Sequence, residues 1–77
     1  MDEGKYSVCC HYDDGTTRYV ERDVTVGVAV ETFANVTTGI GAWIGSTQRV
    51  TVTDQHNVVS LEWKYGRGLT RKVAIVV

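Results

Sequence analysis

Apolar and polar residues alternate with a period of two at both ends of this chain. Tyr6, Val8, Cys10 and Tyr12 are interleaved with Lys5, Ser7, Cys9 and His11, the pattern of a strand with one buried face over residues 5–12. Asp13-Asp14-Gly15 interrupts it with residues that tolerate a tight turn, and 16–22 supply the return strand. Two further strands, 48–53 and 58–65, flank the polar loop Asp54-Gln55-His56-Asn57. Gly66-Arg67-Gly68 then turns the chain into a last strand over 69–77.

Residues 23–43 carry two competing patterns. Val24, Val26, Val28 and Val30 alternate as in a strand, whereas Val26, Val30, Phe33, Val36, Ile40 and Ile44 recur every three or four residues as on one face of a helix. Asp23 or Thr25 can cap such a helix and Gly39 and Gly41 can end it. An unbroken strand from 16 to 38 would be several times the ordinary length of about 5–6 residues. A small sheet also needs a cover for its apolar face. The spacing therefore predicts a helix over 25–39 and a loop over 44–47. The fold class expected is α+β, a small antiparallel sheet of about five strands in the chain order ββαβββ with one helix packed on one face, forming a single domain over residues 1–77.

Sorting the strands by parity assigns Tyr6, Val8, Cys10, Tyr12, Val50, Val52, Val59, Leu61, Trp63, Tyr65, Val73 and Ile75 to the face beneath the helix, with Trp63 central and Val30, Phe33 and Ile40 packed on it. The opposite face carries Ser7, Cys9, His11, Arg49, Thr51, Thr53, Ser60, Glu62, Lys64, Thr70, Lys72 and Ala74. From this set His11, Arg49, Thr51, Glu62, Lys64 and Lys72 are the candidate binding residues. An uncovered sheet face invites a partner. A homodimer or small homo-oligomer is the expected assembly.

Size strengthens that expectation, because a chain of 77 residues hides only about 60–65% of its surface on folding and its core is thin. About a third of the residues are Val, Thr or Ile, none is proline, and eight basic against nine acidic side chains leave a net charge of −1. Such a balance lacks the electrostatic footprint of a dedicated DNA-binding or membrane-surface protein. No apolar run approaches the roughly 20 residues of a membrane span, and Met1-Asp2-Glu3-Gly4-Lys5 is acidic where a secretory leader is basic. The compartment expected is the cytoplasm.

Candidate chemistry is sparse. Cys9 and Cys10 are adjacent, which suits neither a disulfide scaffold nor zinc-ligand spacing. Cys9 and His11 share a strand face, but residues two apart on a strand stand about 6.6–7 Å apart at their Cα atoms, too far for a nucleophile and its base. Asp13, Asp14, Asp54 and His56 sit in turns that need such residues anyway. Gly39-Ile40-Gly41 and Gly66-Arg67-Gly68 lack the spacing and lysine of a phosphate loop. No catalytic set, metal or cofactor is expected.

Two alternatives to a non-enzymatic binding module remain. One is a small-ligand or catalytic domain whose pocket lies between helix and sheet or at a dimer seam, drawing on Arg49, His11, Glu62 or His56. The other is a weak binder of single-stranded nucleic acid, because Trp63-Lys64-Tyr65-Gly66-Arg67 interleaves aromatic with basic residues, with Arg49, Lys64, Arg71 and Lys72 as phosphate contacts. Periodicity turns Trp63 and Tyr65 to the covered side and disfavours nucleic acid.

The run from Thr25 to Gly68 resembles a group of short bacterial proteins carried on phage, plasmid or integron-cassette elements. Its best-marked pieces are Arg49-Val50-Thr51-Val52-Thr53-Asp54 and Glu62-Trp63-Lys64-Tyr65-Gly66. The resemblance covers residues 25–70 and implies a bacterial, cytosolic, compact α+β protein of unassigned activity, with no catalytic residues to carry over. Val26-Gly27-Val28 departs from the acidic, helix-favouring start expected there.

Overall fold

A computed structural model describes residues 5–72. Strands β1 (Tyr6–Tyr12), β2 (Thr17–Val24), β3 (Thr47–Thr53), β4 (Val59–Lys64) and β5 (Gly68–Lys72) form one sheet in the order β2-β1-β3-β4-β5, every pair antiparallel. Helices α1 (Val26–Thr37) and α2 (Ile40–Ile44) connect β2 to β3. The α+β architecture and chain order agree with the periodicity. The part of the expected last strand beyond Lys72 lies outside the described residues.

Local chemistry accounts for the element boundaries. Asp14 closes the β1–β2 turn, its Oδ1 accepting from the Thr16 amide (2.9 Å) and hydroxyl (2.6 Å). Thr25 caps α1 by accepting from the Val28 amide at 3.3 Å. Helix wins over strand here because it lays Val26, Ala29, Phe33 and Val36 along one stripe, with Ala29 and Phe33 buried on the sheet.

That stripe differs from the expected one. Val30 is 39% and Ile40 76% exposed, so neither packs on the sheet as the spacing suggests. Ala29 takes their place because a side chain of one carbon lets the helix backbone approach the strands. The chain also breaks at Gly39 and starts a second, five-residue helix, Ile40–Ile44, over residues that the spacing leaves unassigned apart from Ile44, which it places in the loop.

α1 lies over β1, β2 and β3, and α2 over β3. The core is accordingly centred on β1 and β3, where Val8, Val50 and Val52 are 0% exposed and Cys10 1%. Trp63 stands opposite Val50 in the ladder, yet it is only half-buried at the margin of the cluster, not its centre. The apolar side of the β4–β5 hairpin is left partly open, with Leu69 51% exposed.

Candidate functional site

The polar sheet face assembles the candidate residues in two cross-strand rows. His11, Arg49 and Lys64 are successive partners across β1, β3 and β4, and Cys9, Thr51, Glu62 and Arg71 across β1, β3, β4 and β5. Like charges placed opposite one another destabilise a sheet, and one carboxylate relieves this row. Glu62 forms an ion pair with Arg49 through Oε2 and accepts from the Thr70 hydroxyl through Oε1 at 2.8 Å. These contacts, the Thr70 hydrogen bond foremost, hold the Glu62 carboxyl below its usual range. Thr51, beside Glu62 in the ladder, is only 4% exposed. Burial, with Arg49 second, holds His11 below the ordinary histidine value.

Much of this face therefore satisfies itself. Its charged centre is engaged by its own neighbours, and its middle residue is already covered.

Irregular register moves other residues. Thr70 is the extra residue where β5 shifts phase against β4, so Arg71 lies opposite Glu62 and Lys72 opposite Leu61. Unbroken alternation assigns Lys72 to the polar row; the ladder puts Arg71 there. In β2, Tyr19 stands opposite Cys9 in step with the Arg18/Cys10 and Thr17/His11 pairs; the register shifts only beyond it, where Glu21 comes opposite Val8, and the Arg22 guanidinium stacks over the Tyr19 ring at 4.4 Å. The parity sorting assigns neither residue of this pair to a face.

The remaining reactive groups have structural work. Asp54 Oδ1 accepts from the His56 and Val58 amides at 2.8 and 3.0 Å, which folds the β3–β4 loop and lowers the carboxyl's pKa, the Val58 bond most. His56 thus sits at the far end of β3 from Arg49. Burial raises the Cys9 thiol above its usual value, the reverse of what an activated nucleophile needs. Among the described residues no group of three or more His, Cys, Asp or Glu is placed to hold a metal ion, and no helix is long and apolar enough to cross a membrane.

α2 is packed the other way round from an ordinary amphipathic helix. Its inward residues are small. Ala42 is 3% exposed, and a Cβ on Gly41 would meet the Thr47 hydroxyl at 3.0 Å. Its large apolar residues face out instead, with Ile40 76%, Trp43 82% and Ile44 60% exposed at positions i, i+3 and i+4. Gly45 ends the helix at φ 92° and is buried against the Tyr65 ring. Gln48 ties the corner, its side-chain amide donating to the Gly45 carbonyl (2.6 Å) while its backbone carbonyl accepts from the Tyr65 amide (2.9 Å).

Between α2 and the end of β4 runs a groove of about 280 Å³, lined by Thr37, Thr38, Ala42, Trp43, Trp63 and Tyr65. It lies away from Arg49, Glu62 and His11. A smaller cavity of about 140 Å³ touches His56 together with Lys5, Tyr6 and Asp54.

The sequence reading missed this surface. The signal available was the 40/43/44 spacing set among Gly39, Gly41 and Gly45, which marks a short helix able to approach the sheet closely. No protein-family profile, curated protein or solved structure matches the chain.

Proposed function

We propose that this protein is a non-enzymatic module that works by self-association, and that its contact surface is the apolar one around α2 in place of the polar sheet face. One observation carries the reading: α2 turns Gly41 and Ala42 inward and displays Ile40, Trp43 and Ile44. Exposed apolar clusters of this kind mark interaction sites. The polar face supports a different role, since Glu62 and Arg49 are already paired with each other. A bacterial cytoplasm, in line with the resemblance over residues 25–70, is the setting that belongs to this proposal.

Sedimentation velocity across about 10–500 µM tests it. A mass rising toward twice 8.5 kDa is expected, and a monomer at every concentration overturns the reading.

A second reading, weak contact with single-stranded nucleic acid, is favoured by the Tyr19–Arg22 stack on the face that also carries Arg49, Lys64 and Arg71. Oligonucleotide binding that weakens with salt and with Tyr19→Ala supports it. Absence of binding at low salt removes it.

A further inference from the structure

We propose that the association site is composite: Trp43 of one copy enters the groove between α2 and the end of β4 on a second copy, and the reciprocal contact forms by the same two-fold operation. This rests on the self-association reading and specifies its geometry.

Four observations point to a second copy as the occupant. First, knob and socket adjoin. Trp43 is 82% exposed and also forms one wall of the groove, so both halves of the contact share a rim. An interface between identical chains related by a two-fold axis demands this, because the residue that inserts and the site that receives it must belong to one patch.

Second, the groove has the capacity of a single large side chain. At about 280 Å³ it falls just below the ~300–1,000 Å³ of pockets that enclose whole small molecules. Trp63 and Tyr65 supply aromatic walls and Thr37 and Thr38 a polar edge, suited to an indole with its one N–H donor.

Third, among the described residues no charged side chain lines the groove. Nothing there selects an ion or a charged peptide, and nothing opposes the approach of an identical surface.

Fourth, the area is right. Ile40, Trp43, Ile44, Tyr65 and Leu69 are each between 45% and 82% exposed, which at the ~150–250 Å² carried by a large side chain amounts to roughly 600 Å². A standard interface takes about 800 Å² from each partner. The apolar residues alone come near it, with the threonines and the adjoining turn to complete the rim.

Complementation tests the geometry. Trp43→Ala removes the knob and with it one wall of the groove, leaving the sides made by Thr37, Thr38, Trp63 and Tyr65 able to receive a partner's indole; Thr38→Trp fills the groove and keeps the knob. Thr38→Phe serves if circular dichroism shows the larger substitution to be misfolded. Sedimentation velocity is run on the wild type, each variant alone, and the two mixed in equal amounts. Each variant alone is expected to dimerise at least about tenfold more weakly than the wild type. The mixture, in which the Trp43 knob of the Thr38→Trp copy can enter the unfilled groove of the Trp43→Ala copy, is expected to dimerise more tightly than either variant. A mixture no better than its components overturns knob-in-groove packing and leaves self-association standing if the wild type still dimerises. A wild type monomeric throughout overturns both. A monomer whose groove instead binds an N-acetyltryptophanamide probe, with loss in Thr38→Trp, overturns the second copy as the occupant.

Discussion

The Tyr65 ring lies against the α-carbon of Gly45, so close that a Cβ built there would stand 3.1 Å from Cζ. Gly45 also holds φ at 92°, a conformation in which side-chain-bearing residues are strained. Gly45→Ala meets both obstacles at once, and a loss of about 1–3 kcal/mol is expected in chemical denaturation. Gly45→Ala paired with Tyr65→Ala should recover the part due to the collision and not the part due to φ.

The face of α1 that carries the fold can be read by two substitutions. Phe33 is 8% exposed within the core cluster, and Phe33→Ala is expected to cost about 3–5 kcal/mol, enough to unfold much of so small a domain. Val30→Ala, at 39% exposure, should cost under about 1 kcal/mol. Thermal unfolding of the pair distinguishes the Ala29/Phe33 stripe from the Val30/Ile40 one.

Glu62 gives the sheet an acid-sensitive element. Its carboxyl titrates lower when folded than when unfolded, so below the ordinary glutamate range the unfolded chain binds the extra proton and stability falls with pH. The contribution is intact above the ordinary value of 4.5 and fades as the pH drops through the lower folded value. Denaturation midpoints measured from about pH 6 down to pH 3 should fall less steeply in Glu62→Gln. Asp14 and Asp54, lowered in the same direction, keep some slope in the variant.

His11 acts in a higher window. Burial and the neighbouring Arg49 favour its neutral form, so the folded pKa lies below 6.5 and the unfolded chain takes up the proton first. Stability is full above about pH 7 and declines as the pH falls through 6.5 toward the folded value. His11→Gln should flatten the decline between about pH 7.5 and 5.5, and the His11 ring protons should titrate below 6.5 by NMR.

The parts of the fold legible in the sequence are those governed by neighbours along the chain. Alternation from Tyr6 to Tyr12, the Asp14 turn and the Thr25 cap are local, and the structure has them. Face assignment fails where a strand gains one residue, because a single insertion reverses every side chain beyond it. Thr70 does this in β5, so that Arg71 takes the ladder position opposite Glu62, and the β2 irregularity does it beyond Tyr19, where Glu21 comes opposite Val8. No pattern within one strand reveals such a shift, which is a property of two strands together. Helical spacing likewise finds α1 but ranks Val30 above Ala29, since it weighs hydrophobicity and is blind to how closely a backbone must approach. Trp43 went unassigned because its role depends on which residues α2 turns inward.

The strand order has a consequence for how the molecule forms. β1–β2 and β3–β4–β5 are each made of sequence neighbours, whereas the β1–β3 pairing, Val8 with Val52 and Cys10 with Val50, joins chain segments about forty residues apart. Closing that seam costs the largest loop entropy in the sheet and is the step expected to limit the rate. Val50→Ala should therefore slow refolding in stopped-flow measurements, while Leu69→Ala, on the outer hairpin, should act mainly on the unfolding rate. The β1–β2 hairpin and the β3–β4–β5 meander are each closed by neighbours along the chain, and the chain becomes one protein when they zip together.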